Sequence, residues 1–576
     1  MADPILALNR AFEAAITAAF GAEHATTDPA LRRSNHADFQ ANIAMALGKR
    51  VGRPPREVAA AIVKDLRTEG LCSKVEIAGP GFINLTLDDA YLARELADTA
   101  ASEALGVSRA AAPETVVIDY SSPNVAKEMH VGNLRSTIIG DSIARVLTAL
   151  GNRVIRQNHV GDWGTQFGMI IEHMIDEGQA EAADLSASYL NTLYKAARAR
   201  FDADPAFAER ARLRVVKLQG GDEPTLAIWR RLVDASARYF GSVYERLGVG
   251  LRGEDMAGES FYNPMLDGVA SELQQKGLGT ISDGALCVFP EGFTGREGEP
   301  LPLIVRKQDG GYGYAATDLA AIRHRTDALA ATRIIYVVGA PQAQHFAMVF
   351  AVAKMAGWLR EPARAEHVAF GSILGADRKM FKTRSGESVR LGDLLDEADA
   401  RASKAIEDKV ADAELRAKIA HAVGMGAIKY ADLSSDRIKD YVFEWDRMLA
   451  FEGNTAPYLM YAHVRVRSIF RKGEAETGSI AGSPIAVVAP KEHALSLEIL
   501  RFGSVVREVG ETLQPHRLCL YLYELASAFT SFYEACPVLK AATEEERRSR
   551  LALCDLTARV LAAGLDLLGI EAPERM

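Results

Sequence analysis

The hydrophobic pattern is most informative between residues 116 and 151, where its spacing changes. Val116–Tyr120 (VVIDY) is a short apolar run typical of a buried strand, and the proline-containing turn SSPN follows it. Apolar residues then recur at helical spacing from Ile139 to Leu150, and Gly151 is a helix stop signal. The pattern therefore predicts a strand, a turn and a helix in succession.

A second unit of the same kind follows directly. Arg153–Val160 predicts a strand, Gly161–Gly164 a turn and Thr165–Ile175 a helix. Two such units predict a parallel sheet with right-handed crossovers, in which ligands bind at the carboxyl ends of the strands. Later strands are predicted at Leu303–Arg306, Gly313–Thr317, Arg333–Val338 and His367–Phe370, with a helix starting at Asp318.

The regions on either side of this sheet have different patterns. Residues 1–110 mix helices with short strands, which predicts a small α+β domain, and residues 176–264 predict a charged helical insertion within the sheet region of residues 111–390. Residues 391–450 and 451–576 predict a helical connector and an all-α bundle. The predicted helices at the two ends are Pro4–Gly21, Ala37–Gly48, Pro54–Thr68, Ala398–Val410, Glu414–Leu433, Thr455–Arg471, His493–Glu511, His516–Ala535 and Glu544–Leu568.

Composition narrows the class of protein. A chain of 576 residues is too long for one hydrophobic core, so several domains are expected. No apolar run approaches the roughly 18 residues of a membrane span, and the amphipathic N-terminus lacks the features of a signal peptide. The five cysteines are scattered without a metal-binding spacing, so we expect reduced thiols, a cytoplasmic location and no protein metal site. The net charge of -9 argues against nonspecific nucleic-acid binding but leaves specific RNA binding open.

The strongest candidate chemistry lies where the first helix begins. A helix N-terminus offers unpaired N–H groups and positive potential to phosphate, and His130 and Asn133 are compact donors at that point. Gly132 lets a flat base approach the backbone. A second candidate is Lys379–Gly386 (KMFKTRSG), a basic loop with a hydroxyl group that can close on a triphosphate. Taken singly, a surface histidine is an equally good interpretation of the first candidate, and a surface lysine loop is the better interpretation of the second.

Longer strings carry a family resemblance. HVGN at residues 130–133 resembles the HIGH signature of class I aminoacyl-tRNA synthetases, with Asn133 at the position of the second histidine. KMFKT at residues 379–383 resembles the KMSKS signature, with Phe381 and Thr383 replacing serines. The strings SSPNVAKEMHVGNLRSTIIGD, NHVGDWGTQFG and FEGNTAPYLMYAHVRVRSIFRK resemble arginyl-tRNA synthetases in particular, and the similarity covers essentially the whole chain.

The resemblance implies a fold and an activity. The expected fold is multidomain α/β, with an N-terminal α+β domain that contacts tRNA, a Rossmann-type parallel-sheet catalytic domain and a C-terminal all-α anticodon-binding bundle. The implied activity is arginine–tRNA ligase, which uses ATP with bound Mg²⁺ to activate L-arginine and transfers it to the 3′ end of tRNA(Arg). The family favours a monomer.

The resemblance also assigns residues. The implied catalytic residues are His130, Asn133, Lys127 and Lys382. The implied ATP-binding residues are His130, Gly132, Asn133, Lys379, Met380, Phe381, Lys382 and Thr383. The implied arginine-binding residues are Asp119, Ser121, Asn124, His159, Tyr314, Asp318 and Gln342. The implied tRNA-binding residues are Phe39, Gln40, Asn42, Tyr461 and Arg465.

Alternatives remain open from the sequence alone. Phe39 can be a core residue, the tyrosines of the bundle can be buried, and Asp318 can be a helix N-cap. At the level of function, a synthetase-like regulatory protein without activity would have lost signature residues, whereas His130, Gly132 and Lys382 remain. A nucleotidyltransferase for another substrate shares an HVGN-type motif but does not explain the helical C-terminal third.

Overall fold

The computed structural model describes residues 3–182, 185–295, 297–381, 389–408, 410–473 and 483–576. The predicted fold class is confirmed: an α+β region comes first, a parallel sheet with helical insertions follows, and the C-terminal part is helical. Among the described helices, none is long and apolar enough to cross a membrane.

The N-terminal region is a four-stranded antiparallel sheet, in the order β1-β2-β4-β3, covered by helices. The predicted helix Ala37–Gly48 is wrong in its first half, because Phe39–Ala41 is a strand and the helix starts only at Ile43. Phe39 and Ala41 are buried on either side of half-buried Gln40, and this alternation suits a strand that pairs with β4. The elements are α1 (Pro4–Phe20), β1 (Leu31–Arg33), β2 (Phe39–Ala41), α2 (Ile43–Val51), α3 (Pro55–Asp65), β3 (Cys72–Ala78), β4 (Phe82–Leu87) and α4 (Asp89–Ala101).

The central sheet has four parallel strands in the order β11-β10-β5-β6. Its middle strands are buried apolar runs, as expected for a sheet covered on both faces. Asp119 ends β5 and lies opposite Tyr336 of β10, so the loops after these strands open at one edge. The elements are β5 (Thr115–Asp119), α5 (Val131–Ala149), β6 (Arg153–Gln157), α6 (Thr165–Asp176), β10 (Arg333–Gly339), α12 (Ala343–Met355) and β11 (Arg364–Phe370).

Between α6 and β10 lie four helices, a small antiparallel sheet and one further helix, α11. The predicted strand Gly313–Thr317 is wrong, because α11 already begins at Tyr314. One face of this alanine-rich helix is buried and includes Ala315, Ala316 and Leu319. The segment at its start is short enough to fit the alternating pattern of a strand, so the pattern did not reveal the helix. The elements are α7 (Ala187–Ala203), α8 (Pro205–Gln219), α9 (Glu223–Leu247), α10 (Glu259–Gln275), β7 (Thr280–Ser282), β8 (Ala285–Val288), β9 (Leu303–Arg306) and α11 (Tyr314–Asp327).

The C-terminal part is helical apart from a two-residue parallel pairing of β12 with β13. The predicted helix His493–Glu511 is two helices that meet at Arg501. The elements are β12 (Ile373–Leu374), α13 (Leu391–Ala405), α14 (Ala413–Leu433), β13 (Tyr441–Val442), α15 (Trp445–Met448), α16 (Ala456–Lys472), α17 (Pro490–Leu500), α18 (Phe502–Thr512), α19 (His516–Ala535) and α20 (Glu544–Leu567).

Buried polar contacts join α5 to the C-terminal helices. Arg135 of α5 forms an ion pair of 3.0 Å with Asp432 of α14, and both side chains are almost fully buried. Lys429, also on α14, donates to the carbonyl of Leu247 at 2.6 Å and to that of Gly569. These carbonyls end α9 and follow α20, so one ammonium group neutralises two negative helix ends. Burial lowers the pKa of Lys429 to about 8.

A histidine joins the N-terminal region to the bundle. His493 of α17 contacts Asp38 through Nε2 at 3.0 Å and Asp89 through Nδ1 at 2.6 Å. The hydrogen bond to Asp38 is the main cause that raises the pKa of His493 above its usual 6.5, with Asp89 contributing. Since the imidazolium ion can donate to both carboxylates, protonation stabilises this contact.

The raised pKa of His493 predicts a pH-dependent contribution to stability. The contribution is fully present below pH 6.5, the unfolded value, and is lost as pH rises through the raised folded pKa. We therefore expect His493→Gln to lower the melting temperature most at about pH 6 and least at about pH 9. Thermal unfolding of both proteins across this range checks the prediction, and a constant difference in melting temperature would contradict it.

Candidate active site

The first signature forms a reciprocal cap at the start of α5. His130 is the N-cap residue: its Nδ1 accepts from the backbone N–H of Gly132 at 3.0 Å, and its own N–H donates to Asn133 Oδ1 at 3.1 Å. A Cβ on Gly132 would lie 2.7 Å from His130 Cε1, so glycine makes room for the imidazole ring. Because Nδ1 accepts, the ring proton of the neutral imidazole is on Nε2, which makes Nε2 a hydrogen-bond donor.

The surroundings of His130 favour its neutral form. Burial lowers the pKa of His130, and the nearby positive charge of Lys127 lowers it further. The Lys127 ammonium lies 4.2 Å from the centre of the Tyr194 ring on α7. The first signature therefore presents neutral donors and one cation at a helix N-terminus, which is a suitable environment for phosphate.

The described part of the second signature is fixed by the backbone and by an aromatic contact. Phe381 N–H donates to Ile373 O at 3.1 Å, and Gly375 N–H donates to Lys379 O at 2.8 Å. The Phe381 ring stacks on Phe443 with 4.9 Å between the centroids, so this side chain anchors the segment, while Met380 is exposed. The predicted residues Lys382 and Thr383 lie outside the described residues.

Residues 389–391, which follow this loop in sequence, contact the first signature. Val131 N–H donates to Val389 O at 2.9 Å, and Leu391 N–H donates to Met129 O at 2.9 Å. Arg390 Nε lies 3.2 Å from a carboxylate oxygen of Glu128. Segments about 250 residues apart in sequence are therefore neighbours in the fold, as a shared phosphate site requires.

A cleft of 630 Å³ opens at the carboxyl edge of the central sheet, beside the loops that follow β6 and β10. Four of the seven predicted arginine-binding residues line it: His159, Tyr314, Asp318 and Gln342. Asp318 is the fifth residue of α11, so the N-cap interpretation is wrong for it. Its carboxylate oxygen Oδ2 lies 2.6 Å from His345 Nε2.

Glu259, the first residue of α10, also lines the cleft and was missed by sequence reasoning. Burial raises its pKa to about 7, and the neighbouring carboxylates of Asp162 and Asp318 contribute. No local motif marks Glu259. It reaches the site because its backbone N–H donates to Val160 O at 3.1 Å, next to the end of β6.

The other predicted arginine-binding residues do not line this cleft. Asp119 is buried, and its carboxylate pairs with Arg325 at 2.6 Å and accepts from Ser122 Oγ at 3.2 Å, so its charge is already neutralised within the protein. The Ser121 hydroxyl is buried 2.7 Å from the Tyr244 hydroxyl, which assigns it to the support of the turn. Asn124 is exposed and forms an isolated parallel bridge with Gly161.

The predicted tRNA-binding residues divide into exposed and internal ones. Phe39 is only 2% exposed and belongs to the core, so the prediction that it stacks on a base is wrong. Gln40 Nε2 donates to Asn84 Oδ1 at 2.8 Å, and Asn42 precedes α2 with its side-chain oxygen buried. On α16, Tyr461 is 46% exposed, and the Arg465 guanidinium lies 4.7 Å from the centre of the Tyr533 ring.

The bundle tyrosines also divide. Tyr521 is fully buried, whereas Tyr458 and Tyr523 are half-buried and pack on each other with centroids 5.6 Å apart.

Within the residues that the structure describes, no group of three or more His, Cys, Asp or Glu side chains could hold a metal ion.

Three family models match the chain in succession. They are the arginyl tRNA synthetase N terminal domain over residues 6–87, the catalytic domain of tRNA synthetases class I (R) over residues 96–445, and the DALR anticodon binding domain over residues 459–576. The catalytic-domain match includes both signatures and the cleft.

Similar proteins match over nearly the whole chain. The arginine–tRNA ligases of Thermobifida fusca and Escherichia coli are 56% and 48% identical, over 100% and 96% of both chains. Among solved structures, arginyl-tRNA synthetase from Plasmodium falciparum has a TM-score of 0.86 and 31% identity over 99% of each chain. The Thermus thermophilus arginyl-tRNA synthetase has a TM-score of 0.80 and 26% identity over 99% of this chain and 100% of its own. From its domain order, its two signatures and these similarities, the chain belongs to the arginyl-tRNA synthetases of class I.

Proposed function

We propose that this arginine–tRNA ligase holds the arginine side chain in the acidic cleft and works in two steps. The arginine carboxylate attacks the α-phosphorus of MgATP, which forms arginyl-adenylate and releases pyrophosphate. The terminal ribose hydroxyl of tRNA(Arg) then attacks the acyl carbon, and AMP leaves. Neither step needs a protein nucleophile, so the protein contributes alignment of the reactants and stabilisation of developing charge.

The acidic lining of the cleft supports this proposal most directly. Arginine carries a planar, permanently charged group with five N–H donors, which carboxylates recognise in a two-pronged geometry. Asp318 and Glu259 supply carboxylates in one cleft, and Tyr314 and Gln342 add a hydroxyl and an amide at its edge. A cleft of this charge would bind a neutral or acidic side chain poorly.

The residues of the first signature contact the phosphates of ATP in this proposal. His130 offers Nε2–H as a neutral donor, Asn133 keeps its amide N–H groups, and the start of α5 adds positive potential. Lys127 contributes charge nearby. Lys382, in the KMSKS-like segment, is proposed as a further cation on the strength of the resemblance, and Mg²⁺ enters with ATP as part of the substrate.

For tRNA, we assign anticodon contact to the bundle through Tyr461 and Arg465. An exposed aromatic ring and a guanidinium group one helical turn apart can stack on and pair with an unstacked base. Gln40 and Asn42 remain candidates for contact with the tRNA elbow, without Phe39. We propose that the protein acts as a cytoplasmic monomer.

The decisive experiment is aminoacylation of total tRNA with each of the standard amino acids in turn. We expect charging with arginine alone, which tests both the activity and the side-chain preference. Absence of charging with arginine, when ATP and intact tRNA are present, would favour a synthetase-like protein without activity.

The raised pKa of Glu259 predicts a pH dependence of arginine binding. The guanidinium group stays charged, so it binds best when Glu259 is ionised, above its pKa of about 7. We expect the arginine KM to be constant at higher pH and to rise as pH falls through this value. Steady-state kinetics between about pH 6 and pH 8.5 check this expectation. In Glu259→Gln the KM should be high throughout and the pH dependence lost, whereas a flat profile in the unmodified protein would contradict the prediction.

A further inference from the structure

His345 occupies an unusual position for a residue that no signature motif includes. It lies in the first turn of α12 and lines the cleft, with 26% of its side chain exposed. Its Nε2 lies 2.6 Å from Asp318 Oδ2 on the neighbouring helix α11. An ionised carboxylate only accepts hydrogen bonds, so Nε2 is the donor.

This contact fixes the orientation of the Asp318 carboxylate. An aspartate side chain alone can rotate about its last bond, and the plane of its carboxylate is then undefined. A hydrogen bond to one oxygen sets that plane and leaves most of the roughly four acceptor sites of the group available.

Orientation matters for a guanidinium ligand more than for other cations. A guanidinium fork and a carboxylate interact best when they are coplanar, because two parallel N–H···O bonds then form. An ammonium group is a compact charge whose donors rotate, so it imposes no such plane. A fixed carboxylate plane therefore favours arginine over lysine.

We propose that His345 is a positioning residue for side-chain recognition, which holds Asp318 in the plane that a guanidinium group requires. The inference rests on the proposed function of the cleft. It assigns His345 no contact with the reacting atoms, and it places the effect of the residue on arginine binding and on discrimination against lysine.

A double-mutant cycle tests the proposal, with His345→Ala, Asp318→Asn and the double variant measured in aminoacylation. We expect His345→Ala to raise the arginine KM about tenfold with kcat within about twofold, the pattern of lost binding without lost chemistry. His345→Gln keeps an N–H donor and should recover part of the loss. In the Asp318→Asn background, removing His345 should raise the KM by less than about twofold, because its partner no longer carries the charge.

Competition with lysine gives a second measurement. We expect the inhibition constant of L-lysine to change by less than about threefold in His345→Ala, so that discrimination falls. The matched control is His421→Ala, which removes another His–Asp contact (3.2 Å to Asp399) far along the chain in α14 and should leave the arginine KM unchanged.

The outcomes separate the two proposals. If Asp318→Asn raises the arginine KM and His345→Ala does not, or if their effects are additive, the role of His345 is overturned and the cleft assignment stands. If Asp318→Asn has no effect on the arginine KM, both are overturned. Melting temperatures of all variants show whether any change reflects a loss of fold.

Discussion

Replacing His130 by asparagine is expected to slow adenylate formation by roughly 10²–10³-fold, the usual effect of losing one preorganised donor to a reacting phosphate. The Nδ1 atom of His130 accepts from Gly132 N–H, so Nε2–H is the group offered to ATP. Asparagine is a good N-cap residue and can keep α5 capped, but its short side chain cannot reach as far as Nε2. Single-turnover adenylation with saturating arginine, ATP and tRNA measures the rate.

The fold and the arginine site should survive this change, and both serve as controls. We expect an unchanged melting temperature and an arginine KM within about threefold of the original value. An adenylation rate within threefold of the original, with the fold intact, would remove His130 from the mechanism. The lowered pKa of His130 adds a second expectation, since the imidazole is already neutral near pH 7 and its titration should leave the rate unchanged above that pH.

Asp318→Asn should raise the arginine KM by tenfold or more, roughly 1.4 kcal/mol of binding free energy, while kcat changes little. Asparagine has nearly the same shape, so the change removes the charge and leaves the packing. Asp318 lies inside α11 and does not cap it, so no loss of helix stability complicates the result. Steady-state kinetics with arginine give the KM.

A matched control is available on the same helix. Asp327, at the exposed C-terminal end of α11, can be changed to asparagine without touching the cleft, and we expect no effect on the arginine KM. Citrulline is the complementary probe, because it has the shape of arginine without the charge. An unchanged arginine KM in Asp318→Asn, or equal binding of citrulline and arginine by the unmodified protein, would contradict the assignment.

Local pattern was sufficient for the central strands, which are short buried apolar runs, and for α5. It was also sufficient for most of the bundle helices, although it joined α17 and α18 into one helix across Arg501. It failed at Phe39–Ala41 and at Gly313–Thr317, where short segments fit two periods and tertiary pairing decides between them. Asp318 and Tyr314 were still predicted to bind arginine, because the resemblance identified them whatever their secondary structure, and both line the cleft.

Other residues of the site depend on contacts that the linear sequence does not express. Glu259 is far from both signatures and reaches the cleft through backbone pairing beside β6. The resemblance implies that Asp119 binds the substrate, but a carboxylate that ends a buried strand also needs a partner within the protein. The partner is Arg325 of the same chain, which only the packing of α11 against β5 reveals.

The contacts of Lys429 have a consequence for how the protein is made. Ser142 of α5 donates to Leu567 O at 3.0 Å, and Lys429 donates to the carbonyl of Gly569, so residues about 425 positions further along the chain complete the surroundings of this helix. A nascent chain emerges from the ribosome with its N-terminus first, and domains generally fold in that order. The catalytic domain therefore completes its packing only after residues 567–569 have been made, and a chain that stops before Gly569 would hold a buried lysine without one of its two carbonyl partners.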